Sequence, residues 1–243
     1  MSESVMSGYL EICKRFTGEA PDEAIIKEPY LPYVPRDWNG LLVLAEAQNL
    51  ADDNYVSKLR AENRPEELMD RLNLLSKDIW HVDIEPWRNL TIPLALKSMK
   101  HELDLTRVAV SNAVPWSIAA GKRNLNPTPK MMEKSVLFWK ELFSRWHPKA
   151  IITCGKIARE VMHLAEAPIL LELRLPSPNN INRICRMFDR EDLLNRYSEV
   201  REAAEDLKRE RNMELKFNDG QIFFACHAVS LGKKFASVLA PAA

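Results

Sequence analysis

Four short apolar runs lie along the chain, and each is followed by polar loop residues and then by apolar residues at helical spacing. Short continuous apolar runs are typical of parallel strands that are buried on both faces. Their alternation with helical segments predicts βαβ units around a mainly parallel four-stranded sheet. The predicted strands are 41–44, 108–110, 150–153 and 169–173.

The segments outside these units are predicted to be helical or irregular. Apolar residues at helical spacing predict helices, and a highly charged stretch predicts a helix with a solvated face. These helices are 1–20, 65–76, 89–102 and the charged stretch 189–213. The passage Pro29–Pro35 is too rich in proline for regular structure. The apolar run Gln221–Cys226 predicts a last strand, with a last helix after it.

Length and composition favour a single domain. The chain has 243 residues, of which 46% are hydrophobic, which is enough for one well-buried core. No linker rich in Gly, Ser or Pro divides it, so we expect one domain over 1–243, with an N-terminal helical extension at 1–37. The formal charge is zero, which disfavours general nucleic-acid binding but permits a local basic face.

Cysteine spacing argues against a metal centre. Cys13, Cys154, Cys185 and Cys226 lie far apart and form no CxxC pair. This spacing predicts scattered thiols in a reducing compartment, with no bound metal and no iron–sulfur cluster. The sequence shows no signal peptide and no apolar run of the roughly 18 residues expected of a membrane span. We therefore expect a soluble cytoplasmic protein without a cofactor or an obligate protein partner.

Two polar side chains stand at the ends of apolar runs. Glu46 follows the first run, where a carboxylate can activate water against a cation-like sugar carbon, although acids are also common at helix N-termini. Asn112 ends the second run. Its amide offers a donor and an acceptor side by side, which suits a pyrimidine edge, uracil in one orientation and cytosine in the other. The alternative for Asn112 is a turn or helix cap. We expect both side chains to line one pocket at the carboxyl ends of neighbouring strands.

Over residues 38–182 the order of these motifs resembles the uracil-DNA glycosylase superfamily. Glu46 falls on the glutamate of a Gly-Glu-Ala-Pro-Gly loop, and Asn112 falls on the asparagine that reads the flipped base. Pro176, Ser177 and Pro178 match a His-Pro-Ser-Pro loop that enters the minor groove. The resemblance implies a three-layer α/β/α sandwich with Glu46 as the catalytic residue. It further implies the following contacts: Asn112, Asn49, Trp87 and Trp80 to the base, and Lys122, Arg123, Ser177, Asn179 and Asn180 to DNA.

The sequence departs from the family pattern at several positions. Leu175 stands where a histidine normally donates to the pyrimidine O2 as charge builds on the leaving base. His227 is a candidate replacement, although a lone histidine is more often structural. Pro115 and Trp116 replace the Lys-Cys pair of the iron–sulfur members. In the first motif, the replacements are Ala45, Gln48 and Asn49.

These observations predict a monofunctional DNA glycosylase that hydrolyses the N-glycosidic bond with water. No lysine stands at a motif position, so no lyase step is expected. The altered motifs favour a modified pyrimidine over plain uracil. One form of this idea is a hypermodified cytosine of phage DNA, which would make the protein a defence enzyme. The alternatives are a non-catalytic DNA- or protein-binding module on the same fold, and a hydrolase of free nucleosides or nucleotides.

Overall fold

The structure is a computed structural model that describes residues 3–24, 27–30, 32–47, 79–82, 84–117, 126–174, 190–212 and 214–231. These residues form four strands: β1 (Leu41–Ala47), β2 (Ala109–Val114), β3 (Ala150–Cys154) and β4 (Ile169–Leu173). The helices within the described ranges are α1 (Glu3–Gly18), α2 (Glu85–Arg88), α3 (Thr91–Met99), α4 (Pro129–Arg145), α5 (Lys156–Leu164), α6 (Arg190–Arg211) and α7 (Asp219–Leu231).

The chain groups into two compact units. The first unit contains residues 1–84 and 106–172, and the second contains residues 85–105 and 173–243. The sequence predicted one domain because no linker divides the chain. Neither unit is continuous in sequence, which is why composition gives no sign of the division.

The central sheet confirms the predicted α/β class. All four strands run parallel, in the order β2-β1-β3-β4. The predicted apolar runs of β1, β2 and β3 are buried, whereas β4 has the predicted bounds but is only half-buried over most of its length. Both β1 and β2 extend further than predicted, because β1 includes Glu46 and β2 continues past Asn112 to Val114. Polar residues at the end of an apolar run do not end the strand, because the hydrogen bonds between strands are made by main-chain groups.

One face of the sheet carries the main core of the first unit. Alternate strand residues, such as Leu42 and Leu44 of β1 and Ala109 of β2, belong to one buried cluster with residues of α1, α4 and α5. The large aromatic members lie almost wholly out of water, among them Phe16, Trp116, Phe138 and Trp139. Phe138 and Trp139 meet edge to face, with 5.6 Å between ring centroids. In the first unit, this sheet face and the helices that cover it form one side of the predicted three-layer sandwich.

The free edge of β2 is covered by the described residues between 27 and 39, which we call the edge strap. Tyr33 exchanges two main-chain hydrogen bonds with Val110, at 2.9 and 3.0 Å, in antiparallel orientation. The Tyr30 N–H donates to the Pro115 carbonyl at 2.6 Å. Proline lacks an N–H, so a proline-rich segment can pair only at a sheet edge. The prediction of an irregular passage is confirmed, since Tyr33 forms only an isolated bridge.

The second unit is helical. Helix α3 is buried along almost its whole length and packs against α6 and α7. Helices α1, α3 and α6 confirm three predicted helices, whereas the predicted helix at 65–76 lies outside the described residues. The predicted last strand at 221–226 is wrong, because these residues belong to helix α7. A short apolar run does not distinguish a strand from a helix segment that is buried on all sides.

Candidate functional site at the carboxyl edge of the sheet

The strand order creates a topological switch point between β1 and β3. The chain leaves β1 toward β2 at one edge of the sheet and leaves β3 toward β4 at the other. In open α/β sheets, ligands bind outside the carboxyl ends of the strands at such a point. The residues that stand there are Glu46, near the end of β1, and Gly155, directly after β3.

Glu46 is held by the first turn of α5. Its Oε1 accepts a hydrogen bond from the Ile157 N–H at 3.1 Å, and the Lys156 N–H also donates to the carboxylate. The first N–H groups of a helix have no partner within the helix, so a carboxylate there satisfies donors that would otherwise be left over. Glu46 is therefore a capping residue for α5, supplied from a different strand.

Gly155 makes this contact possible. Its φ of 107° and ψ of 168° lie in a region that is essentially restricted to glycine. A Cβ at this position would lie 2.2 Å from Glu46 Oε1 and 2.5 Å from Glu46 Cδ. Glycine is thus needed for two separate reasons, the backbone conformation and the close approach of the carboxylate. The sequence showed a glycine between strand and helix, but nothing in it indicated the contact with Glu46.

Burial dominates the electrostatics of this corner. It raises the pKa of Glu46, against the opposing effect of the Ile157 and Lys156 N–H groups, and the nearby Glu160 raises this pKa further. Burial together with the charge of Glu46 raises the pKa of Cys154 to about 12. A thiol with such a pKa carries no nucleophilic thiolate at neutral pH.

Asn112 lies on β2, opposite Ala45 of β1 in the sheet register. It is only 3% exposed. Within the described part of the chain, no residue forms a hydrogen bond with its side-chain amide. An amide that has no hydrogen-bond partner among the described residues is a candidate for ligand recognition.

The register contradicts the expectation that Glu46 and Asn112 line one pocket on the same face. Asn112 pairs with Ala45, and successive side chains on a strand point to opposite faces. Glu46 therefore lies on the face of α5, whereas Asn112 lies on the other face. A shift of one residue in register reverses every side chain, and the sequence does not fix the register between two buried strands.

The other predicted site residues fall in three places. Trp80 is half-buried in a 3₁₀ turn of the first unit, and Trp87 is fully buried in α2 of the second. His227 is buried in helix α7, and its pKa is lowered by burial and by Arg174. The sequence suggested that His227 follows a strand, but it lies within helix α7. The remaining positions lie outside the described residues: Asn49, Lys122, Arg123, Leu175, Ser177, Asn179 and Asn180.

Trp116, which stands in place of a family cluster ligand, belongs to the core. Its ring packs against Phe138 with 6.2 Å between centroids, and its Nε1 donates to the Lys27 carbonyl at 3.1 Å.

In the described ranges no three His, Cys, Asp or Glu side chains are placed to hold a metal ion. Nor does any helix there have the length and apolar character needed to cross a membrane. No family model and no curated protein matches this chain.

Proposed function

We propose that this protein is a DNA glycosylase in which Asn112 reads a pyrimidine that has been flipped out of the duplex. The observation that carries the proposal is the Asn112 amide, which is buried on a strand of a parallel sheet and bonded to no described residue. A side chain of this kind can pair with a base edge through one donor and one acceptor. The parallel sheet and its strand order agree with the fold that the sequence motifs imply.

The position of Glu46 changes the mechanism that the sequence suggested. Its carboxylate is engaged by the Ile157 N–H on the opposite face from Asn112. A general base must reach the attacking water, and this geometry directs Glu46 elsewhere. In the proposed mechanism, the carboxylate that activates water comes from the acids that follow β1 in sequence, Asp52 and Asp53. Glu46 then fixes α5 against the end of β1.

The proposed substrate is a modified pyrimidine, with a hypermodified cytosine of phage DNA as the defence form of the same idea. This part of the proposal is supported by the sequence at Leu175, where a side chain without a donor replaces the family histidine. Without that donor, the oxyanion that develops on the O2 of departing uracil is less stabilised. A cytosine with an added group offers contacts at other positions of the ring.

The direct test is a comparison of substrates. The purified protein is incubated with matched duplexes carrying uracil or a 5-substituted cytosine, with the same single strands, and with the free nucleosides, and base release is measured by mass spectrometry. We expect release from a modified duplex that exceeds release from uracil. Activity on nucleosides alone would instead indicate a nucleoside hydrolase.

Substitutions in the same assay identify the general base. Glu46→Gln keeps an acceptor for the Ile157 N–H, so we expect the variant to retain most of the activity. Loss of the true base typically costs about 10²–10⁴-fold in rate. We expect this loss for Asp52→Asn or Asp53→Asn. If Glu46→Gln alone abolished release, the assignment of Glu46 to capping would be wrong.

A non-catalytic binding module is the second candidate. The capping role of Glu46 favours it, because the one motif carboxylate that the structure describes is already occupied by a helix. A protein of this kind would bind DNA with a preference for one pyrimidine and would release no base. Base release by the parent protein separates the two candidates.

A further inference from the structure

We infer that Trp139 of α4 is a positioning residue for Asn112. Its indole N–H fixes the main chain of β2 directly after the asparagine. The inference rests on the proposed function, because it names the group that sets where the amide of Asn112 meets the base. Trp139 lies in the core and acts through the strand, without touching the base.

The contact joins α4 to the end of β2. Trp139 Nε1 donates to the Ala113 carbonyl at 2.7 Å. Both residues are fully buried and belong to the same core cluster. Asn112 comes directly before Ala113, and successive strand residues point to opposite faces. The indole therefore lies on the other face of the sheet from the Asn112 amide, and its effect on the amide is carried by the main chain.

Asn112 stands near the end of an edge strand. β2 lies at one edge of the sheet, and its pairing with β1 ends at Val114. The edge strap fixes β2 two residues before Asn112, where Val110 exchanges main-chain hydrogen bonds with Tyr33. Trp139 fixes β2 one residue after Asn112. Because the ends of elements open most easily, a buried hydrogen bond at this point has a large effect on local order.

Recognition of a base edge requires this local order. Hydrogen bonds weaken steeply as their geometry departs from the preferred distance and angle, and binding groups must be held within about 0.5 Å of the productive position. The Asn112 amide forms no hydrogen bond with a described residue, so its position follows from the main chain that carries it. Loss of the indole donor takes a hydrogen bond from the buried Ala113 carbonyl, and the strand end is then free to shift.

The core supplies a matched indole without this contact. Trp146 directly follows α4, is 7% exposed, and belongs to the same row of aromatic rings as Trp139, with Phe143 between them. Its Nε1 is buried and has no hydrogen-bond partner among the described residues. Substitution of either tryptophan by phenylalanine therefore removes the same atoms from the core, but only Trp139→Phe removes a hydrogen bond to β2.

The test compares Trp139→Phe with the control Trp146→Phe under conditions in which urea unfolding shows both variants to be folded. The ligands are duplexes that contain an uncleavable 2′-fluoro nucleotide carrying uracil or a 5-substituted cytosine, and a reference duplex with an abasic analogue at that position. The quantity is the ratio of the Kd for the abasic duplex to the Kd for the base-containing duplex. Phosphate contacts cancel in this ratio, so it reports recognition of the base and is not changed by a loss of stability alone.

We expect Trp139→Phe to lower the ratio by about 5- to 100-fold, since a misplacement of about 1 Å can cost about 100-fold in a precisely built site. Trp146→Phe should lower stability and leave the ratio unchanged. In an Asn112→Ala background, Trp139→Phe should have no further effect on the ratio, because the residue through which it acts is absent. If the phenylalanine variant does not fold, Trp139→Met fills more of the space with a flexible apolar side chain and also lacks the donor.

The outcomes separate the inference from the proposed function. If the parent releases a base but Trp139→Phe has the same ratio as Trp146→Phe, the inference is overturned and the glycosylase stands. A further decrease in the Asn112→Ala background would also overturn the inference, because Trp139 would then act on another part of the site. If the parent prefers a base-containing duplex without releasing the base, the glycosylase fails, and the two phenylalanine variants still decide the inference. If the parent distinguishes no base from the abasic reference, both are overturned.

Discussion

Substitution of Gly155 by alanine tests the corner between β1, β3 and α5. Two costs arise in the folded state. Alanine at a φ of 107° and a ψ of 168° is strained by about 1–3 kcal/mol. The new Cβ would also lie 2.2 Å from Glu46 Oε1, so the Glu46 side chain must leave its position. The hydrogen bond lost from the Ile157 N–H is worth about 1.5–3 kcal/mol when the acceptor is charged.

A smaller effect opposes these costs. Alanine restricts the unfolded chain more than glycine and thereby stabilises the protein by about 0.4–1 kcal/mol. The expected net loss for Gly155→Ala is therefore about 2–5 kcal/mol, a large part of the 5–15 kcal/mol that is typical of a folded domain. The control is Gly18→Ala at the end of α1, where an added Cβ meets no atom within 4 Å. We expect the control to change stability by less than about 1 kcal/mol.

The assay is urea unfolding followed by circular dichroism, with free energies extrapolated to zero denaturant. A double-mutant cycle with Glu46→Ala isolates the contact itself. In the Glu46→Ala background, Gly155→Ala should cost only the backbone strain, so the coupling energy should be about 1.5–3 kcal/mol. A coupling near zero, or a Gly155→Ala cost equal to that of Gly18→Ala, would refute the contact between Glu46 and Gly155.

Two further predictions concern pH. Burial raises the pKa of Glu46 in the folded state, so its stabilising contribution is complete below the unfolded pKa of about 4.5 and is lost as pH rises through the folded pKa. Glu46→Gln should therefore gain stability relative to the parent between pH 4 and pH 7, and a constant difference in urea midpoint would contradict this. For His227 the folded pKa is lowered by burial and by Arg174, so its contribution is present above about pH 6.5 and is lost as pH falls through the folded pKa. His227→Gln should lose less stability than the parent from pH 7 to pH 5, whereas an equal loss in both proteins would show that His227 is not buried in its neutral form.

The strands were predictable because a parallel strand that is buried on both faces has a continuous apolar run in its sequence. Leu41–Leu44 has no polar residue and is fully buried, whereas Ile169–Leu173 contains the exposed Glu172 and was identified from its apolar majority. The same feature led to the wrong assignment of 221–226 as a strand, because a largely buried helix segment can also be continuously apolar. Length and flanking residues separate the two cases only when the run is long.

The arrangement of the site was less predictable. Glu46 and Asn112 were predicted to end their strands, but β1 continues to Ala47 and β2 to Val114. Their faces depend on the register between β1 and β2, which is decided by packing. The pairing of Tyr33 with Val110 was not predicted, since it joins residues that are far apart in the sequence. The signal that was present is an aromatic residue between two prolines, a pattern suited to an edge strand.

The central claim is that Asn112 reads a pyrimidine, and base release by Asn112→Ala tests it most directly. The control is Ser111→Ala, the preceding β2 residue, which lies on the opposite face and is equally buried. Under single-turnover conditions on the best duplex substrate, we predict that Asn112→Ala lowers the rate by about 5- to 150-fold, equivalent to one bidentate base contact. Ser111→Ala should retain the parent rate. Equal rates for Asn112→Ala and the parent, with both variants folded, would contradict the account.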